Sequence, residues 1–278
     1  MDTIILYYKN FPTVRYSTVV LILVSLCAAL LGVTLVLKRF SMIGDGLSHV
    51  AFSATAIATA ASFTPMYIAL PFTVVSAVLL LRIHSGKRIQ GDAAIAMISA
   101  GSLALGYTVL SVSPASANIG GDVCSTLFGS ANIITISKSE VLLCAVLAIL
   151  VLFVFIFFYH KIFAVTFDES FASATGTRSE LYNSLIAVIT GVVIVISMNM
   201  VGALLISALI TFPALSAMRV FKSFKKVIVC SSVIAVSCAA VGMIISILAE
   251  TPIGPTIVLA NMAVFGSFTL IGFVKKTA

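Results

Sequence analysis

In the run Lys38-Arg39-Phe40-Ser41-Met42-Ile43-Gly44-Asp45-Gly46-Leu47-Ser48-His49, a carboxylate and an imidazole stand four residues apart. On an α-helix that spacing puts both on one face, one turn apart. A carboxylate oxygen and an imidazole nitrogen together suit a divalent first-row metal ion. If the chain is helical from Arg39 onward, a rise of ~1.5 Å per residue puts Asp45 roughly 9 Å and His49 roughly 15 Å beyond it. His49 would then lie near the midplane of a bilayer. Ionisable groups at such depth cost several kcal/mol unless they face a cavity or a partner, so they mark a functional site by default. From these residues alone a second reading stands beside the first, in which Asp45 is a helix N-cap at the cytoplasmic interface and His49 is a packed, hydrogen-bonded histidine.

The residues after His49 favour the first reading. They run Val-Ala-Phe-Ser-Ala-Thr-Ala-Ile-Ala-Thr-Ala-Ala-Ser, small where a lipid-facing helix would carry Leu, Ile and Phe. Small side chains allow close helix contact, which places this helix inside a bundle. Ser53 and Ala56 continue the Asp45/His49 face as a narrow stripe suited to an ion path. The segment from Val201 to Ala214 has a similar character: Ala203, Ser207 and Thr211 recur every four residues, and Pro213 removes a backbone hydrogen bond and should kink the helix. It could line a pathway or only pack tightly. His84 and His160 border the cytoplasm and read as solvated, and Met198 and Met200 read as core filler.

Those residues must be held by membrane-spanning elements. Hydrophobic residues make up 61 % of the 278-residue chain and charged residues 9 %, far from the roughly 25 % charged usage of soluble domains. Apolar runs of spanning length occur near 16–37, 45–63, 66–82, 92–112, 140–159, 181–198, 200–218, 227–249 and 253–274. The fold class is thus all-α, a polytopic bundle of about nine transmembrane helices forming a single domain over 1–278. Eight is the count if 45–63 with 66–82, or 181–198 with 200–218, form one broken helix across Phe63-Thr64-Pro65 or Met198-Asn199-Met200. With nine spans, thirteen of the sixteen Lys and Arg residues collect on one side. That side is then the cytoplasm, with the N-terminus outside and the C-terminus inside. The net charge of +7 therefore orients the chain and does not indicate nucleic-acid binding. Four of the five cysteines fall within apolar runs and one, Cys124, in a loop, which provides no disulfide framework. No cleaved signal peptide is read at the start.

Two connections exceed a simple turn. The outer one, 113–139, contains Ile119-Gly120-Gly121-Asp122 and Leu127-Phe128-Gly129-Ser130. The inner one, over 161–178, reads as a short amphipathic helix ending near Gly176, with Phe167, Phe171 and Ala174 on one face. Such a helix could seat on a soluble partner, lie on the membrane surface or be a plain connector. The phosphate-binding pattern G-x-x-x-x-G-K-[ST] is absent, so the chain does not hydrolyse ATP through that motif and is not read as an enzyme. No H-E-x-x-H or G-x-S-x-G motif is present either.

Taken together these pieces resemble the zinc/manganese/iron permease family of ABC importers. The strongest is the basic pair Lys38-Arg39 followed by Ser41-Met42-Ile43-Gly44-Asp45-Gly46-Leu47-Ser48-His49, where Gly46 replaces the family's usual alanine. Gly91-Asp92-Ala93-Ala94-Ile95, Leu127-Phe128-Gly129, Phe167-Asp168-Glu169-Ser170-Phe171-Ala172 with Gly176, and Val201-Gly202-Ala203-Leu204-Leu205 through Pro213-Ala214 follow in the family's order. The resemblance implies that Asp45 and His49 contact a translocating Mn2+, Zn2+ or Fe2+ with no permanently bound cofactor. It further implies that 161–178, including Phe167, Asp168, Glu169, Phe171 and Gly176, is a coupling helix on a cytoplasmic ATPase. Its implied partners are a second permease copy or paralogue, ABC ATPase subunits and an external metal-binding protein, in a bacterial inner membrane. Two copies would supply two Asp and two His ligands about a two-fold axis. The alternatives are a permease for metal chelates of the siderophore type, whose wide path needs no paired Asp and His, and a secondary transporter driven by an ion gradient.

Overall fold

The computed structural model describes residues 12–83, 91–113, 129 and 136–277. The outer-loop motifs at 119–122 and 127–128 lie outside these residues, as do His84 and Cys124. Every described element is an α-helix: α1 Pro12–Leu37, α2 Ile43–Ala60, α3 Pro65–Ile83, α4 Gly91–Val112, α5 Lys138–Phe157, α6 Tyr159–Phe167, α7 Glu169–Ala174, α8 Ser179–Val201, α9 Ala203–Val220, α10 Phe224–Ala249 and α11 Ile253–Thr277. Eight of them are long and apolar enough to cross a membrane. Besides the short α6 and α7, the helix missing from that set is α2, which at 18 residues is long enough but carries Asp45, His49 and a run of Ser and Thr. Each of the nine spans expected from the sequence is a separate helix.

Several boundaries are written in local chemistry. Ser137 and Glu140 form a capping box at the start of α5, with Ser137 N donating to Glu140 Oε2 at 2.7 Å and Ser137 Oγ accepting from the Glu140 backbone. α1 and α2 end in Schellman turns whose left-handed residue is not glycine. Arg39 (φ 63°) is closed by Phe40 N donating to Leu35 O at 2.9 Å, and Ser62 (φ 59°) by Phe63 N donating to Ala58 O at 2.8 Å. The Phe63-Thr64-Pro65 break therefore separates α2 from α3.

The second ambiguous break falls elsewhere than the sequence suggests. The helix does not stop at Met198-Asn199-Met200, because Asn199 Nδ2 donates to Val195 O at 3.0 Å and stays within the helix. It runs on to Val201 and breaks at Gly202, whose φ of 93° and ψ of 153° suit only glycine. Gly129 from the outer connection packs against this break: a Cβ there would meet the Val201 carbonyl at 2.3 Å. The chain reverses at Gly202. α8 starts where Asn183 meets Lys38, at the C-terminal end of α1, and α9 returns toward that end so that Thr211 reaches Ser41. These are two helices, not one interrupted one.

α1 and α8 form the buried centre, while α4 and α11 are the most exposed spans. α1 is apolar on all sides, as befits a central helix, and packs against α5, α8, α9 and α10. Its contact with α9 is close enough that a Cβ on Gly32 would stand 2.1 Å from the Ile210 carbonyl oxygen. Bundles in lipid gain stability from such backbone approach. Gly32→Ala is expected to lower the thermal stability of the detergent-purified chain by about 1–3 kcal/mol. Gly266→Ala, where no described residue lies within 4 Å, should leave it unchanged or slightly raised. Unfolding midpoints measured side by side by size-exclusion after heating test the contrast.

Candidate metal site and coupling surface

α2 owes its position to the turn that feeds it. Phe40 is buried, Thr211 Oγ1 donates to Ser41 O at 3.0 Å, and α2 opens at Ile43. Its N-cap, Met42, makes no side-chain cap bond, so Asp45 is not the cap that the alternative sequence reading allowed. Asp45 sits instead in the first turn, where the free N–H groups and the helix dipole favour an anion. The late start also replaces the helix expected to be continuous from Arg39. Counted from Ile43, His49 lies only about 9 Å into a helix of about 27 Å. The two glycines flanking Asp45 are contact points: a Cβ on Gly44 would lie 3.1 Å from Ser207 Cα of α9, and one on Gly46 2.7 Å from Ile95 Cγ2 of α4.

The two side chains meet as their spacing predicts. His49 Nε2 lies 3.4 Å from Asp45 Oδ1, and Ser99 Oγ of α4 donates to Asp45 Oδ2 at 3.2 Å. His49 is 13 % exposed and Asp45 43 %, so the imidazole is set into the bundle while the carboxylate opens on the flank beside α4. His49 Nδ1 is buried with no hydrogen-bond partner among the described residues. Among the described residues no third His, Cys, Asp or Glu joins the pair. One chain therefore offers two strong ligands and one hydroxyl, an incomplete shell for a four-coordinate ion. Ser99 is the member that sequence reasoning missed. It follows Ile95 of the Gly91–Ile95 motif by four residues, and the same-face rule applied to α4 would have exposed it.

The remaining pathway candidates divide. Ser53 and Ala56 are each 2 % exposed, and Ser53 faces Gly106 of α4, where an added Cβ would come within 3.0 Å of Ser53 Cα. Ser53 thus lies where α2 packs on α4. Ser207 Oγ donates to Ala203 O at 3.0 Å and Thr211 to Ser41 O, so both hydroxyls are engaged where α9 abuts the start of α2. Pro213 is buried inside α9, which continues through it to Val220. His160 is exposed, whereas Met198 and Met200 are buried, with Cys144 Sγ 3.3 Å from Met200 Sδ.

The inner connection is two helices where the sequence suggests one. Asp168 adopts extended backbone (φ −146°, ψ 97°), ends α6 and caps α7, its Oδ1 accepting from Phe171 N at 2.9 Å. α7 closes in a Schellman turn with Gly176 at φ 82° and Thr177 N donating to Ala172 O at 2.9 Å. The break takes Phe167 and Phe171 off a common helical face, yet both are exposed, at 56 % and 65 %. Phe167 is steadied by Phe163, 4.8 Å between ring centroids, and by Phe224 at 5.8 Å. Glu169 points the other way, toward Asn183. Beside it opens a cleft of ≈ 890 Å³ whose lining includes Arg82, Glu169, Ser173, Arg178 and Glu180.

The manganese import system permease protein ScaB of Streptococcus gordonii is 27 % identical over 92 % of this chain and 90 % of its own length. The high-affinity zinc uptake system membrane protein ZnuB of Buchnera aphidicola is also 27 % identical, over 92 % of this chain and 94 % of its own. Among solved structures, PsaBC from Streptococcus pneumoniae in complex with Fab superposes with a TM-score of 0.80 at 27 % identity, covering 97 % of this chain and 94 % of that one. A family profile, the ABC 3 transport family, matches residues 10–271, and the chain belongs to that family.

Proposed function

We propose that this chain is the permease subunit of an ATP-driven importer of divalent metal ions, with Asp45 and His49 as the ligands that the ion meets in transit. The observation that carries the reading is the exposed Asp45 carboxylate, 3.4 Å from a nearly buried imidazole, on a helix packed among apolar spans. A carboxylate half open to the chain's flank is not tolerated against lipid, so another protein surface or a water-filled path covers it. A second permease copy meets that need and completes the shell, two Asp and two His about a two-fold axis. Oxygen and nitrogen donors without thiolate hold manganese, zinc or ferrous iron loosely enough to release it. The relatives' names, one a manganese and one a zinc system, fit such a set. Nine spans, the N-terminus outside and the C-terminus in the cytoplasm follow from the charge segregation.

In this mechanism an external binding protein delivers the ion to the outer connection. The ion passes to the Asp45/His49 ligands, and a cytoplasmic ATPase seated on α6 and α7 drives the change between outward and inward access. Phe167 and Phe171 supply the apolar contact expected of a helix-in-groove interface. Thr211 ties α9 to the turn before α2 and the Ser207 backbone packs on Gly44, so a shift of either helix is felt at the ligands.

Asp45→Ala and His49→Ala are each expected to reduce radiometal uptake to background while the ATPase still co-purifies, and normal uptake by both would refute the site. Ser99→Ala keeps both ligands but frees Asp45 Oδ2, so uptake at low metal concentration should fall about fivefold, the equivalent of one hydrogen bond. Phe171→Ala should leave ATP hydrolysis running while metal moved per ATP drops. An unchanged ratio in reconstituted vesicles would count against the α6–α7 surface. Competition among manganese, zinc and iron for uptake identifies the cargo.

A further inference from the structure

Three side chains join the α6–α7 segment to the turn that precedes the helix carrying the proposed metal ligands. Lys38, the first residue after α1, donates from its ammonium to Asn183 Oδ1 near the start of α8. Asn183 Nδ2 in turn donates to Glu169 Oε1 at 2.8 Å, and Glu169 is the first residue of α7. The charges at the two ends fix the amide's orientation, since an ammonium can only donate and a carboxylate can only accept. All three groups are half-buried. Burial pushes the Lys38 ammonium below its usual pKa, and the Glu169 charge opposes that shift.

The position of Lys38 gives this network its interest. The turn it begins is held on its other side by buried Phe40 and by Thr211 donating to Ser41 O. It then passes directly into Ile43 and the first turn of α2, which contains Asp45. A cleft of ≈ 240 Å³, lined in part by Lys38, Arg39, Phe167, Glu169 and Asn183, leaves these groups room to shift. A movement of α7 is therefore presented to the start of α2 across two hydrogen bonds and one short turn.

We propose that Lys38, Asn183 and Glu169 form the mechanical link through which the coupling segment sets the position of the metal helix. Lys38 and Glu169 act as positioning residues and do not touch the ion. The proposal rests on the reading of α6–α7 as the ATPase-coupling segment. A central amide makes the link reversible in polarity: with an acid at 38 and an ammonium at 169, the amide turns over and both bonds re-form.

The test uses the full complex, with its ATPase and binding protein, in vesicles, and reads metal accumulated per ATP hydrolysed alongside ATPase co-purification. Lys38→Met is expected to lower the ratio by about tenfold, the effect of losing a hydrogen bond to a charged group, with hydrolysis and co-purification retained, and Glu169→Ala to lower the ratio by as much. If Glu169→Ala does not assemble, Glu169→Gln removes the charge alone and should also lower the ratio. The double swap Lys38→Glu with Glu169→Lys should recover most of the loss, which a general packing defect would not. A wild-type ratio in either single variant, or a swap no better than the singles, overturns the link. Phe171→Ala separates the two ideas: if it uncouples while Lys38→Met does not, the link alone fails, and if it leaves the ratio intact, the coupling reading itself fails.

Discussion

An ionised carboxylate inside a membrane protein has to be compensated, and much of this fold can be understood as the means of compensating Asp45. The compensation begins within α2, where the first-turn position gives the carboxylate the positive end of the helix and the residue one turn on is His49. It continues across the helix contact with α4, whose Ser99 donates to the second oxygen. These sources leave Asp45 tethered but still 43 % exposed. A group so placed is available to a ligand in a way that a fully paired ion is not. The proposed role as a transit ligand follows from that incomplete satisfaction.

The same constraint dictates the helices around it. α2 is too polar to join the spans that qualify on apolarity, and it stays in the bundle by contact through small residues. Gly44 touches Ser207, Gly46 touches Ile95, and Ser53 abuts Gly106. Close backbone approach gives α2 enough dispersion contact to offset what its side chains do not gain by leaving water. α9 lies on its N-terminal turn because Gly202 lets the chain reverse in one residue, a conformation that a β-carbon would obstruct.

On the side of the basic pair, the fold links two regions that lie far apart in sequence. Lys38 from the turn before α2 and Glu169 from the inner connection share the amide of Asn183. Phe167 and Phe171 of the same segment are exposed. One short segment thus has an inward polar contact with the bundle and an outward apolar face, the arrangement expected of an element that receives motion from a partner and passes it on.

The sequence by itself determined the helical class, the nine apolar or small-residue runs and the pairing of Asp45 with His49. Each of these depends on composition or on a spacing of four, and local geometry converts both into structure without help from the rest of the chain. Tertiary structure decided what spacing cannot encode. The start of α2 at Ile43 depends on a turn held by Phe40 and Thr211. The break at Gly202 and not at Asn199 depends on which residue can tolerate φ 93° once α9 folds back on α1. The splitting of the inner helix at Asp168 was foreshadowed by a capping residue, but the helical period masked it. The same-face rule could place Ser99 on the face of Ile95 but not against Asp45, 54 residues away, and the bond from Lys38 to Asn183 spans 145 residues. Only packing brings such groups together, since a hydrogen bond between distant residues leaves no local period to read.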